Sequence, residues 1–111
     1  ATCAIGKGRV VALADAALQR IELALERSGA DLDFTMVDEQ VLEIEFPDAS
    51  KIVINRHNAA KEIWVAARSG GFHYQWNSDA GCWRDTRHNQ ELLSALSELV
   101  SEQAGERVSL S

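Results

Sequence analysis

Cysteine, proline and positive charge are all scarce in this chain. Its 111 residues hold one proline, two cysteines and 11 Lys or Arg against 17 Asp or Glu, for a formal net charge of −6. Cys3 and Cys82 cannot build the disulfide framework of a small secreted scaffold, and neither stands in a Cys-x-x-Cys pair or at zinc-ligand spacing from a histidine. The expected state is two reduced thiols. The shortage of cations sets the chain against nucleic-acid phosphates and anionic lipid surfaces. No apolar run approaches the ~20 residues that a membrane-spanning helix needs. Residues 1–9 lack a signal-peptide core and read as a disordered or non-native tail, ahead of one cytoplasmic domain. No glycine-rich phosphate loop and no nucleophile elbow occurs, which argues against phosphoryl and acyl transfer.

What is present is an ordinary globular composition, 46 % apolar and 25 % charged, at a length that suits one core. The charge is uneven. Residues 1–12 carry a net +2, residues 13–48 a net −8, and residues 49–111 balance. The natural partner of the first half is therefore cationic, either a metal ion or a basic protein surface.

Residues 10–28 read as an amphipathic helix, with Val10, Ala14, Ala17, Leu18, Ile21 and Leu25 on one face and Gly29 as its stop. The period then falls to two. Leu32, Phe34 and Met36 form one strand, and Leu42, Ile44 and Phe46 a second beyond a turn at Val37–Gln40. Pro47–Ser50 turns into a third strand at Lys51–Arg56. A fourth follows at Glu62–Ala67, a fifth around Phe72, Tyr74 and Trp76, and a short sixth at Cys82–Asp85. Asn89 is the expected cap of a last helix, with Leu92, Leu96, Leu99 and Gln103 on one face and Gly105 at its end; Val108 and Leu110 are placed to pack back on the core. Short turns between neighbouring strands predict an α+β sandwich: two helices on one face of an antiparallel sheet of about six strands, the other face open.

Two features stand out. Asp15, Glu22 and Glu26 fall on one line of the first helix, a quarter turn from its apolar stripe, and Asp31 and Asp33 extend that line into the first strand. An acidic face is ordinarily just solvated. The functional alternative is a surface that collects hard cations through oxygen ligands, with water completing the shell and modest affinity. The second feature is Trp64, which alternation puts on the open face of the sheet beside Asn55, Glu62 and His73. A large indole there is either a lone surface aromatic or a protein-contact hot spot. The histidines His57, His73 and His88 read as scattered over a turn, a strand and a loop, and no catalytic group is assigned.

The stretches Ser50–Arg56, Glu62–Ala66 and Gly70–Tyr74, with Leu13-Ala14-Asp15 and Gln103-Ala104-Gly105, resemble the frataxin family in its bacterial branch. The resemblance runs from about residue 13 to 108 without a large gap. It implies the same two-layer sandwich and a non-enzymatic role in iron–sulfur cluster assembly. In that role the protein binds ferrous or ferric iron weakly and reversibly and docks on the cysteine desulfurase and its scaffold protein. The metal set it implies is Glu22, Glu26, Asp31 and Asp33, with Asp15, Asp38 and Glu43 as extensions; the partner face is Asn55, Glu62, Trp64 and His73. The chain departs from the family where Leu23, Arg27 and Gly29 thin the ridge, and where the proline often found before the Trp strand is missing from Asn58-Ala59-Ala60. Fewer or weaker iron sites follow as the expectation. A monomer is expected, with iron-dependent oligomers as the alternative. A metal-independent acidic adaptor, a ferroxidase-type enzyme and an acidic mimic of nucleic acid are the competing functions. The ferroxidase is disfavoured because a His-free ridge lacks converging ligands.

Overall fold

The computed structural model describes residues 7–38, 40–57 and 61–110, with side chains from residue 12 onward. The order of elements is α1 (Lys7–Ser28), β1 (Asp33–Val37), β2 (Val41–Glu45), β3 (Lys51–His57), β4 (Glu62–Ala67), β5 (Gly70–Asn77), β6 (Cys82–Asp85) and α2 (Leu92–Ala104). The strands form one antiparallel sheet in the order β1-β2-β3-β4-β5-β6. Each neighbour in sequence is a neighbour in space, as the short turns predicted.

Alternation decides which face each strand buries. Leu42 and Ile44, Ile52 and Ile54, Ile63 and Val65, and Tyr74 are all fully or nearly fully buried, and they meet Leu18, Ile21 and Leu25 of α1 and Leu92, Leu96 and Val100 of α2. Each such aliphatic side chain contributes roughly 1.5–3 kcal/mol by leaving water. α1 packs against β3 and α2 against β6, so both helices cover the same face. Val108 and Leu110 return to the core as expected. Trp83 is buried and meets Trp76 edge to face, with ring centroids 5.7 Å apart.

Several boundaries differ from the expected ones: β1 takes in Val37 from the expected turn, and β2 ends before Phe46. α1 begins at Lys7, so only residues 1–6 of the expected tail, Cys3 among them, lie outside the described residues. The side chain of Val10, Glu39 in the first hairpin turn, and Asn58-Ala59-Ala60 also lie outside them. β3 runs on through His57. The cap of α2 is Glu91 and not Asn89: its carboxylate accepts from the Leu93 and Ser94 amides at 2.8 and 3.1 Å, so one longer acidic side chain satisfies two free N–H groups. Asn89 lies two residues earlier, in left-handed backbone with φ 56°. At the other end of α2, Gly105 takes φ 71° and closes the helix onto Ser101, a conformation that costs glycine nothing.

Gln103 is buried on the apolar face because it ties two hairpin turns to α2. Its Nε2 donates to Ser50 Oγ at 3.0 Å, and its Oε1 accepts from the Arg68 amide at 3.1 Å. Among the described residues no helix is long and apolar enough to cross a membrane.

Candidate functional site

The acidic surface occupies the second half of α1 and the way into β1. Glu26, Asp31 and Asp33 are exposed and Glu22 half-buried, and no hydrogen bond or ion pair engages any of the four among the described residues. Ser28 stops α1 by turning its hydroxyl back to the Leu25 carbonyl at 2.7 Å while accepting from the Ala30 amide at 3.2 Å. That turn delivers Asp31 and Asp33 close after Glu26. Across the first hairpin Asp33 lies directly opposite Glu45. Like charges in register are destabilising, so Glu45 thickens the negative end of the sheet. Only the hairpin register could have placed it there.

Asp15 stands apart from these groups. Arg56 reaches from β3 across the core edge and donates from Nη1 to Asp15 Oδ1 at 2.8 Å. Arg56 shares the strand parity of Ile52 and Ile54, so it faces the helices, and its side chain is only 11 % exposed. The first member of the acidic line is therefore paired with a cation, one that comes from a strand and not from the helix. The extensions also separate. Asp38 sits in the turn at the far end of β1, and Glu43 lies on the open face in an ion pair with Lys51 at 3.6 Å. Among the described residues no three His, Cys, Asp or Glu converge as a preformed metal site.

The open face of the sheet carries a more ordered constellation. Asn55, Trp64 and His73 are cross-strand partners on β3, β4 and β5, and His57, Glu62 and Gln75 form the adjacent row. The Trp64 indole lies between two imidazoles, 4.1 Å from His57 and 4.5 Å from His73, with interplanar angles of 14° and 7°. Glu62 fixes this stack from the side. Its Oε1 accepts the Trp64 Nε1–H at 2.7 Å and its Oε2 accepts from Gln75 at 2.8 Å, while His73 Nδ1 lies 3.6 Å from Oε1. Burial pushes the Glu62 pKa up, but the Gln75 and Trp64 hydrogen bonds and the two nearby histidines outweigh it, so the carboxyl is held below its ordinary value.

The structure thus brings Asn55, Glu62, Trp64 and His73 together and adds His57 and Gln75. The histidines are not scattered: two of the three converge on Trp64. His57 carried a usable signal, since it lies two residues beyond Asn55 on the same face, but ending the strand at Arg56 hid it. His88 is separate, in the turn after β6, with Nδ1 3.1 Å from Asp85 Oδ2.

Comparison with known proteins gives one consistent result. The frataxin-like domain family matches residues 8–106. The iron–sulfur cluster assembly protein CyaY of Dechloromonas aromatica is 61 % identical over 99 residues, covering 89 % of this chain and 92 % of that protein. Its counterpart of the same name in Ralstonia nicotianae is 48 % identical over 104 residues, covering 90 % and 89 %. Among solved structures, frataxin from Psychromonas ingrahamii superposes with a TM-score of 0.86 at 34 % identity, covering 96 % of this chain and 98 % of that one.

Proposed function

The chain belongs to the frataxin family, and from that premise we propose that it regulates iron–sulfur cluster assembly without being an enzyme. It holds iron weakly as cargo on the ridge of Glu22, Glu26, Asp31 and Asp33, and it docks on the cysteine desulfurase and its scaffold through that ridge and the Trp64 face. The observation that carries this reading is that the four ridge carboxylates have no partner among the described residues, beside a paired Asp15. Unneutralised charge at one end of a fold costs stability through self-repulsion, and it is the chemistry that attracts a cation. Oxygen donors suit hard ions, and the open spacing leaves water to complete the shell, so iron should exchange readily.

Docking then has an electrostatic part and a contact part. The ridge steers a basic surface, a contribution that falls with ionic strength, and Trp64 supplies the apolar anchor. Binding of the purified desulfurase–scaffold complex tests both parts. Glu22→Lys with Glu26→Lys should weaken it at least tenfold at low salt, and Trp64→Ala should weaken it at any salt while leaving the circular dichroism spectrum unchanged. Unaltered binding by both variants contradicts the reading.

A metal-independent adaptor is the second reading, favoured by the lack of any three converging donors among the described residues. It predicts desulfurase binding that a chelator leaves untouched.

A further inference from the structure

We infer that Trp64 is a proton-gated contact residue: protonation of His57 and His73 clamps its indole within the stack and lowers its availability to a docking partner. The inference rests on the docking role proposed above and adds its regulation. Both faces of the indole are covered by near-parallel imidazoles at 4.1 and 4.5 Å. A neutral imidazole in that position stacks weakly. An imidazolium is attracted to the electron-rich face of the ring, and two of them grip it from opposite sides. Histidine is the side chain whose ordinary titration crosses this pH range.

The surrounding groups set the geometry of the clamp. Glu62 of β4 lies 3.6 Å from His73 Nδ1 and holds the Trp64 Nε1–H, so it fixes the indole between the two imidazoles. Glu43 of β2 and Lys51 of β3 are paired with each other, Glu43 one cross-strand row beyond Asn55 and Trp64 on the open face and Lys51 two. Arg84 of β6 stands opposite Gln75 and donates to the Asn89 carbonyl at 2.7 Å. Arg87 follows in the next turn, beside a shallow cleft that it lines together with His73. Both helices lie on the opposite face and bring no charge to the stack. Protonating both histidines changes the patch from the single negative charge of Glu62 to a net positive one, so contact chemistry and side-chain mobility change together.

The test uses the whole chain and the His57→Gln, His73→Gln double variant, with indole ¹⁵N relaxation and desulfurase–scaffold binding each measured at pH 6 and pH 8. In the native chain the Trp64 side chain should be more rigid at pH 6, and affinity should be about tenfold lower there than at pH 8, the scale of one or two partly desolvated cation–π contacts. The double variant should bind equally at both values with an indole of constant mobility. A double variant that keeps the native pH dependence overturns the gate and leaves docking intact. If Trp64→Ala binds like the native chain, the docking role fails and the gate with it.

Discussion

Two carboxylates show how a single residue can be charged for structural reasons. Asp85 is buried at the end of β6, and burial pushes its pKa up. Hydrogen bonds from the Arg87 amide at 2.8 Å and from the His88 ring and amide prevail, and hold the carboxyl below its ordinary value. A depressed folded pKa stabilises above the unfolded value and is lost as pH falls through the folded one. The Asp85 contribution should therefore be complete at neutral pH and be lost progressively as pH falls below about 4. Asp85→Asn should lower stability at pH 7 by about 1–3 kcal/mol and flatten the acid limb of a denaturation profile taken between pH 3 and 6. Asp15 is the other case. Its carboxyl is half exposed, but its partner Arg56 is nearly buried, with an Nε that finds no acceptor among the described residues. Asp15→Asn strands that guanidinium, and thermal melting should show a loss of roughly 4–8 °C. Glu26→Gln removes an unpaired surface charge and should leave the midpoint unchanged or slightly raised.

Elements were legible wherever one periodicity ran unbroken. Alternation along residues 32–36, 42–46 and 62–67 gave the strands and their buried faces, because a half-buried strand leaves no other pattern. Strand ends were harder to read. His57 follows a core-facing Arg56, a charged residue where an apolar one would signal continuation, so the sequence pattern ends at Arg56 and leaves His57 out of the stack around Trp64. Arg56 was itself illegible for a related reason: its counter-charge lies 41 residues away on α1. The acidic ridge could be read from helix geometry, but the separation of Asp15 from it and the addition of Glu45 could not. Both depend on tertiary register.

The segment after α2 makes the same point. Ser97 Oγ accepts from the Leu110 amide, and Ser101 Oγ both accepts from Val108 N and donates to Val108 O, each at 2.9 Å. These two hydroxyls latch Val108 and Leu110 into the core, a role that serines on a helix do not advertise. Ser97→Ala with Ser101→Ala should cost about 1–3 kcal/mol in urea denaturation, together with faster amide exchange confined to residues 107–110. A uniform increase in exchange would show that the latch holds more than this segment.

At the scale of the whole molecule, the fold divides labour between its surfaces. One face of the sheet is spent on the core beneath two helices. The other presents Trp64 in its stack, and the end where α1 meets β1 gathers charge that nothing in the described residues neutralises. Leu23 is 46 % exposed, an apolar group among these acids. Iron binding should accordingly be weak and confined to the second half of α1 and the start of β1.

An anaerobic ferrous-iron titration followed by backbone amide resonances tests this most directly. Broadening should appear at Glu22, Glu26, Asp31 and Asp33 and spread to their neighbours, while Asp15, held by Arg56, stays sharp until the others are saturated. An unperturbed ridge at millimolar iron, or broadening centred elsewhere, would contradict the iron-holding role.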